Sequence, residues 1–91
     1  SGLAAAQTTT LVKTPTLEVI RLVLPAGKEI CHQHSVPGEV LVQCLEGTLT
    51  VEVDGSPRTV EAGRMLYLAG GVTHAIRAVD GASALLTILL R

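Results

Sequence analysis

The chain has 91 residues, 47% of them apolar, and a formal net charge of −1 from seven Lys and Arg against eight Asp and Glu, so it has room for one domain. It contains no run of Lys or Arg, which removes the electrostatic footprint of a nucleic-acid binder, and its single Tyr, with no Phe or Trp, gives no stacking platform for bases or sugars. The longest apolar stretch, Ala84 to Leu90, is too short to span a bilayer and is interrupted by Thr87.

Ser1 to Ala6 is apolar but lacks a basic lead and a long hydrophobic stretch, so it does not read as a signal peptide. A start at Ser1 rather than Met suggests a processed or an engineered start, with room for an upstream segment to have been lost. Residues 1–14, with the Thr8-Thr9-Thr10 run, read as a flexible arm, either disordered or paired with a neighbouring subunit's sheet. Residues 15–91 read as one β-barrel domain.

Within that domain, turn signals cut the chain into short strands every eight to twelve residues, a spacing typical of sandwiches and barrels. Leu17 to Leu24 is rich in β-branched residues and ends at Pro25-Ala26-Gly27. Lys28 to His34 follows, then a Pro37-Gly38 turn, then Glu39 to Leu45 closed by Glu46-Gly47. Thr48 to Val53 alternates cleanly, with Leu49, Val51 and Val53 on one face. Asp54-Gly55 is a strong hairpin turn, and Arg58 to Glu61 returns from it. Arg64 to Leu68, His74 to Val79 and Ala82 to Leu90 complete about eight strands, with a second Asp-Gly turn at Asp80-Gly81. No segment has a helical period with caps. Closing such a sheet into a jelly-roll barrel protects its edges. Val40 to Leu45 and Ala84 to Leu90 are apolar on both faces, and a barrel buries only one, so a homodimer is expected.

Cys31 and Cys44 set no disulfide framework. They read as small buried hydrophobes in a reducing cytoplasm, with a mutual disulfide or a reactive thiol as the alternatives.

The chemistry concentrates in three histidines and one carboxylate. His32 and His34 are two apart on an expected strand, where side chains at i and i+2 share a face. Glu39 opens the next strand after a tight turn, and its parity is expected to carry Leu41, Gln43 and Leu45 inward with it. His74 lies forty residues beyond His34, just after a Gly-rich loop, and is placed to reach the same point from across the barrel. Three imidazoles and a carboxylate suit a divalent transition metal and leave coordination positions open on an octahedral ion. Inward-facing Gln43 is either a buried amide with backbone or water partners or a group beside the metal that touches substrate. Tyr67 is expected outside the barrel or at an interface, Arg64 and Arg77 in solvent or in salt bridges, and Met65 as core filler.

Gly27, His32-Gln33-His34, Glu39 and Gly47 resemble the first motif of the cupin superfamily, a Gly, HxH, Glu and strand-ending Gly. Gly63, Gly71 and His74 resemble its second motif, and the fifteen residues between Gly47 and Gly63 match the spacing of small cupins. Ala69 stands where that motif usually has Pro, Ala78 where it often has Asn, and Gly27 is one residue closer to the HxH than usual. The similarity spans Leu17 to Leu90. The resemblance implies an all-β double-stranded β-helix (jelly-roll) and a site of His32, His34, Glu39 and His74 holding one divalent ion: iron, manganese, nickel, zinc, cobalt or copper. It implies either a metal-dependent enzyme, dioxygenase-like, acting on a small organic molecule, or a non-catalytic sensor barrel in which the metal is structural or holds a ligand. A relic barrel that is stable without metal is the third alternative. The few polar groups expected in the cavity disfavour phosphorylated sugars, which need Arg and Lys clamps.

Overall fold

The computed structural model describes residues 8–90, and of residues 31–34 the backbone only. Turn residues divide this stretch into β1 (Thr9–Lys13), β2 (Leu17–Leu24), β3 (Glu29–His34), β4 (Val40–Glu46), β5 (Thr48–Val53), β6 (Ser56–Glu61), β7 (Met65–Leu68), β8 (His74–Ala78) and β9 (Ala82–Leu89). Among the described residues no helix is long and apolar enough to cross a membrane.

The strands form two antiparallel sheets, the first in the order β1-β2-β9-β4-β7 and the second β3-β8-β5-β6. The chain repeatedly crosses between them: β2 lies in the first, β3 in the second, β4 in the first and β5 in the second. This all-β jelly-roll wraps one core whose residues come from the inward row of each strand. Leu22 and Leu24 of β2, Val40, Val42 and Cys44 of β4, Leu49 and Val51 of β5, and Ile76 of β8 are buried in it. Strict alternation explains the selection, because successive strand side chains point to opposite faces. Each fully buried Val, Leu or Ile contributes about 1.5–3 kcal/mol of transfer free energy.

Asp54 and Gly55 form the two-residue β5–β6 loop, with Val53 paired to Ser56. Both loop residues have positive φ, 50° and 84°, as the turn that matches strand twist requires. The β3–β4 turn packs tightly on its neighbours. A Cβ on Gly38 would strike the carbonyl oxygen of Leu89, and a Cβ on Gly70 would strike that of Pro37. Asp80-Gly81 joins β8 to β9 across the two sheets, and Asp80 Oδ1 accepts a hydrogen bond from the Thr48 amide at 3.0 Å.

The arm expected over residues 1–14 is an edge strand from Thr9 onward. β1 pairs antiparallel with β2 of its own chain, and Thr8 Oγ1 accepts from the Val23 amide at 3.0 Å. Residues 1–7 lie outside the described part. The two outer faces differ in chemistry. That of the second sheet carries Thr48, Thr50, Glu52 and Arg77, whereas that of the first carries Val19, Leu41, Leu85, Leu89, Met65 and Tyr67.

Candidate metal centre

The site begins with the pairing of β3 and β8. Ile30 stands opposite Ile76, and His34 stands opposite His74. Four residues of β3 are thus covered by two of β8, so a bulge carrying two extra residues lies between Ile30 and His34. His32 falls within it. The side chains of His32 and His34 lie outside the described residues.

His74 opens β8 directly after the Gly70-Gly71 loop, and its partner on the other flank is Val53 of β5. It shares the inward row with Ile76 and Ala78, and only 3% of its surface is exposed. Its Nδ1 lies 3.3 Å from the Val72 carbonyl oxygen. A carbonyl can only accept, so in a hydrogen bond across this contact Nδ1 is the donor. Backbone anchoring of the other ring nitrogen is the usual way a ligating histidine is oriented. Beside His74, a cleft of about 340 Å³ is lined by Glu52, Asp54, Gly55, Thr73 and Ala75. Its two carboxylates make this end of the barrel attractive to cations.

Glu39 does not join this site. The inward row of β4 is Val40, Val42 and Cys44, whereas Leu41 and Gln43 are half-buried and Leu45 is exposed on the other face. Glu39 belongs with the second group. Its Oε2 accepts a hydrogen bond from the Tyr67 hydroxyl at 2.8 Å, and with Leu41, Tyr67, Thr87 and Leu89 it lines a groove of about 280 Å³ outside the first sheet. The expected parity of β4 is therefore shifted by one residue, which moves every side chain to the opposite face. Gln43 stands outward for the same reason, opposite Met65 and Leu85. Met65, expected in the core, is 57% exposed, because residues directly opposite each other in an antiparallel pair share a face. Tyr67 stands outside the barrel as expected, and Arg64 and Arg77 are exposed.

The fit to a metal ion is therefore partial. The buried, oriented imidazole of His74 and the backbone register of His34 suit one, but the carboxylate of Glu39 does not. Among the described side chains, no three of His, Cys, Asp or Glu converge. Cys44 is a free, buried thiol whose Sγ donates to the Glu46 and Gly47 carbonyls, each at 3.4 Å. Burial, and secondarily the Asp80 carboxylate, push its pKa above the ordinary 9.0, so the thiol is held protonated.

Comparison with known proteins agrees with this architecture. The family described as "Cupin domain" matches residues 20–89. A conserved protein of unknown function from Streptococcus pyogenes is 30% identical with a TM-score of 0.87, the match covering 92% of this chain and 73% of that one. A cupin 2 conserved barrel domain protein from Leptotrichia buccalis is also 30% identical, TM-score 0.83, with 92% and 40% covered. The salicylate 1,2-dioxygenase of Pseudoaminobacter salicylatoxidans shares the fold at 23% identity and a TM-score of 0.79, over 89% of this chain and 26% of that one. No curated protein matches the chain.

Proposed function

This chain belongs to the cupin domain family, and on that premise we propose that it binds one divalent transition metal through the imidazoles of His32, His34 and His74 and offers the open positions to a small organic molecule. The observation that carries the reading is the pairing of His34 with His74, whose buried ring lies with Nδ1 3.3 Å from the Val72 carbonyl oxygen. Residues so paired share a face of the sheet, which is the geometry that converging ligands need. Glu39 is left out, because its carboxylate lies beyond the first sheet.

When bound, the ion supplies Lewis-acid activation or a platform for dioxygen. The chain's own residues orient and exclude. Val72 holds the His74 ring, and Val53 and Ile76 flank it with aliphatic surface that keeps water away. Three neutral donors leave the ion's charge uncompensated, which favours a ligand that brings a carboxylate or similar anion. Among the described residues the buried polar side chains are His74 and Ser83, and Ser83 bonds outward to Glu46, while the carboxylates of Glu52 and Asp54 line the cleft beside His74. With so few polar groups in the barrel interior, chemistry on a small molecule falls mainly to the metal, as in a dioxygenase-like enzyme. The same shortage of polar groups supports a second reading, a sensor barrel in which the metal only holds the ligand.

Elemental analysis of protein purified without added metal, followed by reloading with iron, manganese, nickel, cobalt, copper or zinc, tests the site. About one ion per chain is expected for the wild type and for Glu39→Gln, and a loss of most of it for His74→Ala. A wild type that takes up none of these ions, or a Glu39→Gln variant that loses its ion, overturns the three-histidine site. Oxygen uptake by iron-loaded protein offered salicylate and other small aromatic carboxylates then separates the enzyme from the sensor.

A further inference from the structure

All three histidines stand on the second sheet, His32 and His34 on β3 and His74 on β8. Short links fold the first sheet over it. Residues 25–28 join β2 to β3, residues 79–81 join β8 to β9, and Gly47 alone joins β4 to β5. β2 therefore faces β3, β9 faces β8 and β4 faces β5, at the usual sheet separation of about 10 Å. The inner rows match level by level. Ile20, Leu86 and Val42 of the first sheet lie over Ile30, Ile76 and Val51 of the second. One level further along, His34, His74 and Val53 lie under Glu18, Ile88 and Val40, with Leu68 completing that row of the first sheet.

Glu18 is the one charged residue among those four. It continues the inner row of β2 made by Ile20, Leu22 and Leu24, and its side chain is 20% exposed. Lys13 stands opposite it on β1, and Lys13 Nζ donates to Glu18 Oε1 at 3.3 Å. Oε2 has no partner among the described residues. A carboxylate accepts at both oxygens, so Glu18 keeps capacity for a second donor while Lys13 fixes its direction.

We propose that Glu18 selects the ligand, a small organic acid that carries an ammonium group a few bonds from its carboxylate. Ligation from one sheet leaves the open positions facing the other, so a bound molecule lies against the row of Glu18, Ile88, Val40 and Leu68. Its carboxylate meets the ion, its short hydrocarbon stem rests on the aliphatic residues, and its ammonium donates to Glu18 Oε2. A second carboxylate in place of the ammonium sets like charges together. This inference rests on the three-histidine reading and narrows its ligand from any anion to a zwitterion.

Calorimetric titration of cobalt-loaded protein at neutral pH with butyrate, 4-aminobutyrate and succinate tests the role, after metal content has been measured. The loaded wild type should bind 4-aminobutyrate about tenfold more tightly than butyrate, as one hydrogen bond to a charged group allows, and succinate more weakly than either. Glu18→Gln should keep its ion and bind 4-aminobutyrate no better than butyrate, whereas Glu39→Gln, altered outside the barrel, should keep the wild-type order. A loaded wild type that binds none of the three, or does not prefer 4-aminobutyrate, overturns the inference and leaves the metal site standing. So does a Glu18→Gln variant that retains the preference. A Glu18→Gln variant that loses its ion makes Glu18 a metal ligand and overturns the selective role. A wild type that takes up no ion ends the site reading and this inference with it. Circular dichroism checks folding, and should Glu18→Gln not fold, Glu18→Asp, which draws the carboxylate back from the ligand, carries the same comparison with a smaller loss.

Discussion

The Tyr67 hydroxyl donates to Glu39 Oε2 at 2.8 Å across the β4–β7 pair, and this bond fixes on the outside of the barrel the carboxylate that the motif resemblance assigns to the inside. Removing it by Tyr67→Phe should cost about 0.5–1.5 kcal/mol, the ordinary net value of such a bond. Urea unfolding measures the loss. Metal content should not change, and a loss of metal in Tyr67→Phe would argue that Glu39 reaches the site after all.

His34→Ala separates binding from folding. The site reading expects it to abolish most metal uptake while the barrel keeps its strand signature in far-ultraviolet circular dichroism. Full metal retention by this variant would remove His34 from the ligand set.

Cys44 gives the chain a pH signature. Its thiol pKa is raised by burial first and by Asp80 second, so the folded state holds a proton that the unfolded state releases at lower pH. The stability tied to this group is complete below pH 9.0 and falls as pH rises toward the folded-state pKa. Wild type should therefore lose more stability than Cys44→Ala between neutral pH and about pH 10. Urea midpoints of the two proteins provide the comparison, since Cys31 is common to both. Thiol reagents should label Cys44 slowly in the folded protein and rapidly in urea.

Gly38→Ala and Gly70→Ala should each cost about 1–3 kcal/mol, because the added methyl group meets a carbonyl oxygen rather than a side chain able to move. Gly38 presses on Leu89 and Gly70 on Pro37, so both changes push on the turn that leads from His34 into β4. A thermal scan showing no drop in midpoint for either would mean that this turn relaxes freely.

Most of the barrel is legible in the sequence. Leu17–Leu24 and Thr48–Val53 are strands over those residues, because their alternation, β-branching and terminating turns agree with one another. The Asp54-Gly55 hairpin follows from φ preferences alone. Residues 1–14 hide a strand, because Thr9–Lys13 is exposed throughout and shows no apolar row to detect. The face of β4 is the instructive miss. Glu39 and Gln43 share one row and Val40, Val42 and Cys44 the other, so a polar-outward reading alone places Glu39 correctly. The resemblance to a metal-binding motif implies the opposite face. Leu41 and Leu45 blurred the contrast because the outer face is itself apolar. The bulge in β3 leaves no mark in the sequence, since spacing between two histidines says nothing about how many residues the facing strand supplies.

Tyr67 is the chain's only aromatic residue, and it stands 56% exposed on the outer face of the first sheet. Its ultraviolet absorbance and emission therefore report what happens on that outer surface. Melting of the aliphatic interior changes no chromophore within it, so optical unfolding curves followed at tyrosine wavelengths track local solvation of that face. Amide-based signals follow the barrel itself, and a gap between the two transitions would measure how far that surface loosens before the barrel unfolds.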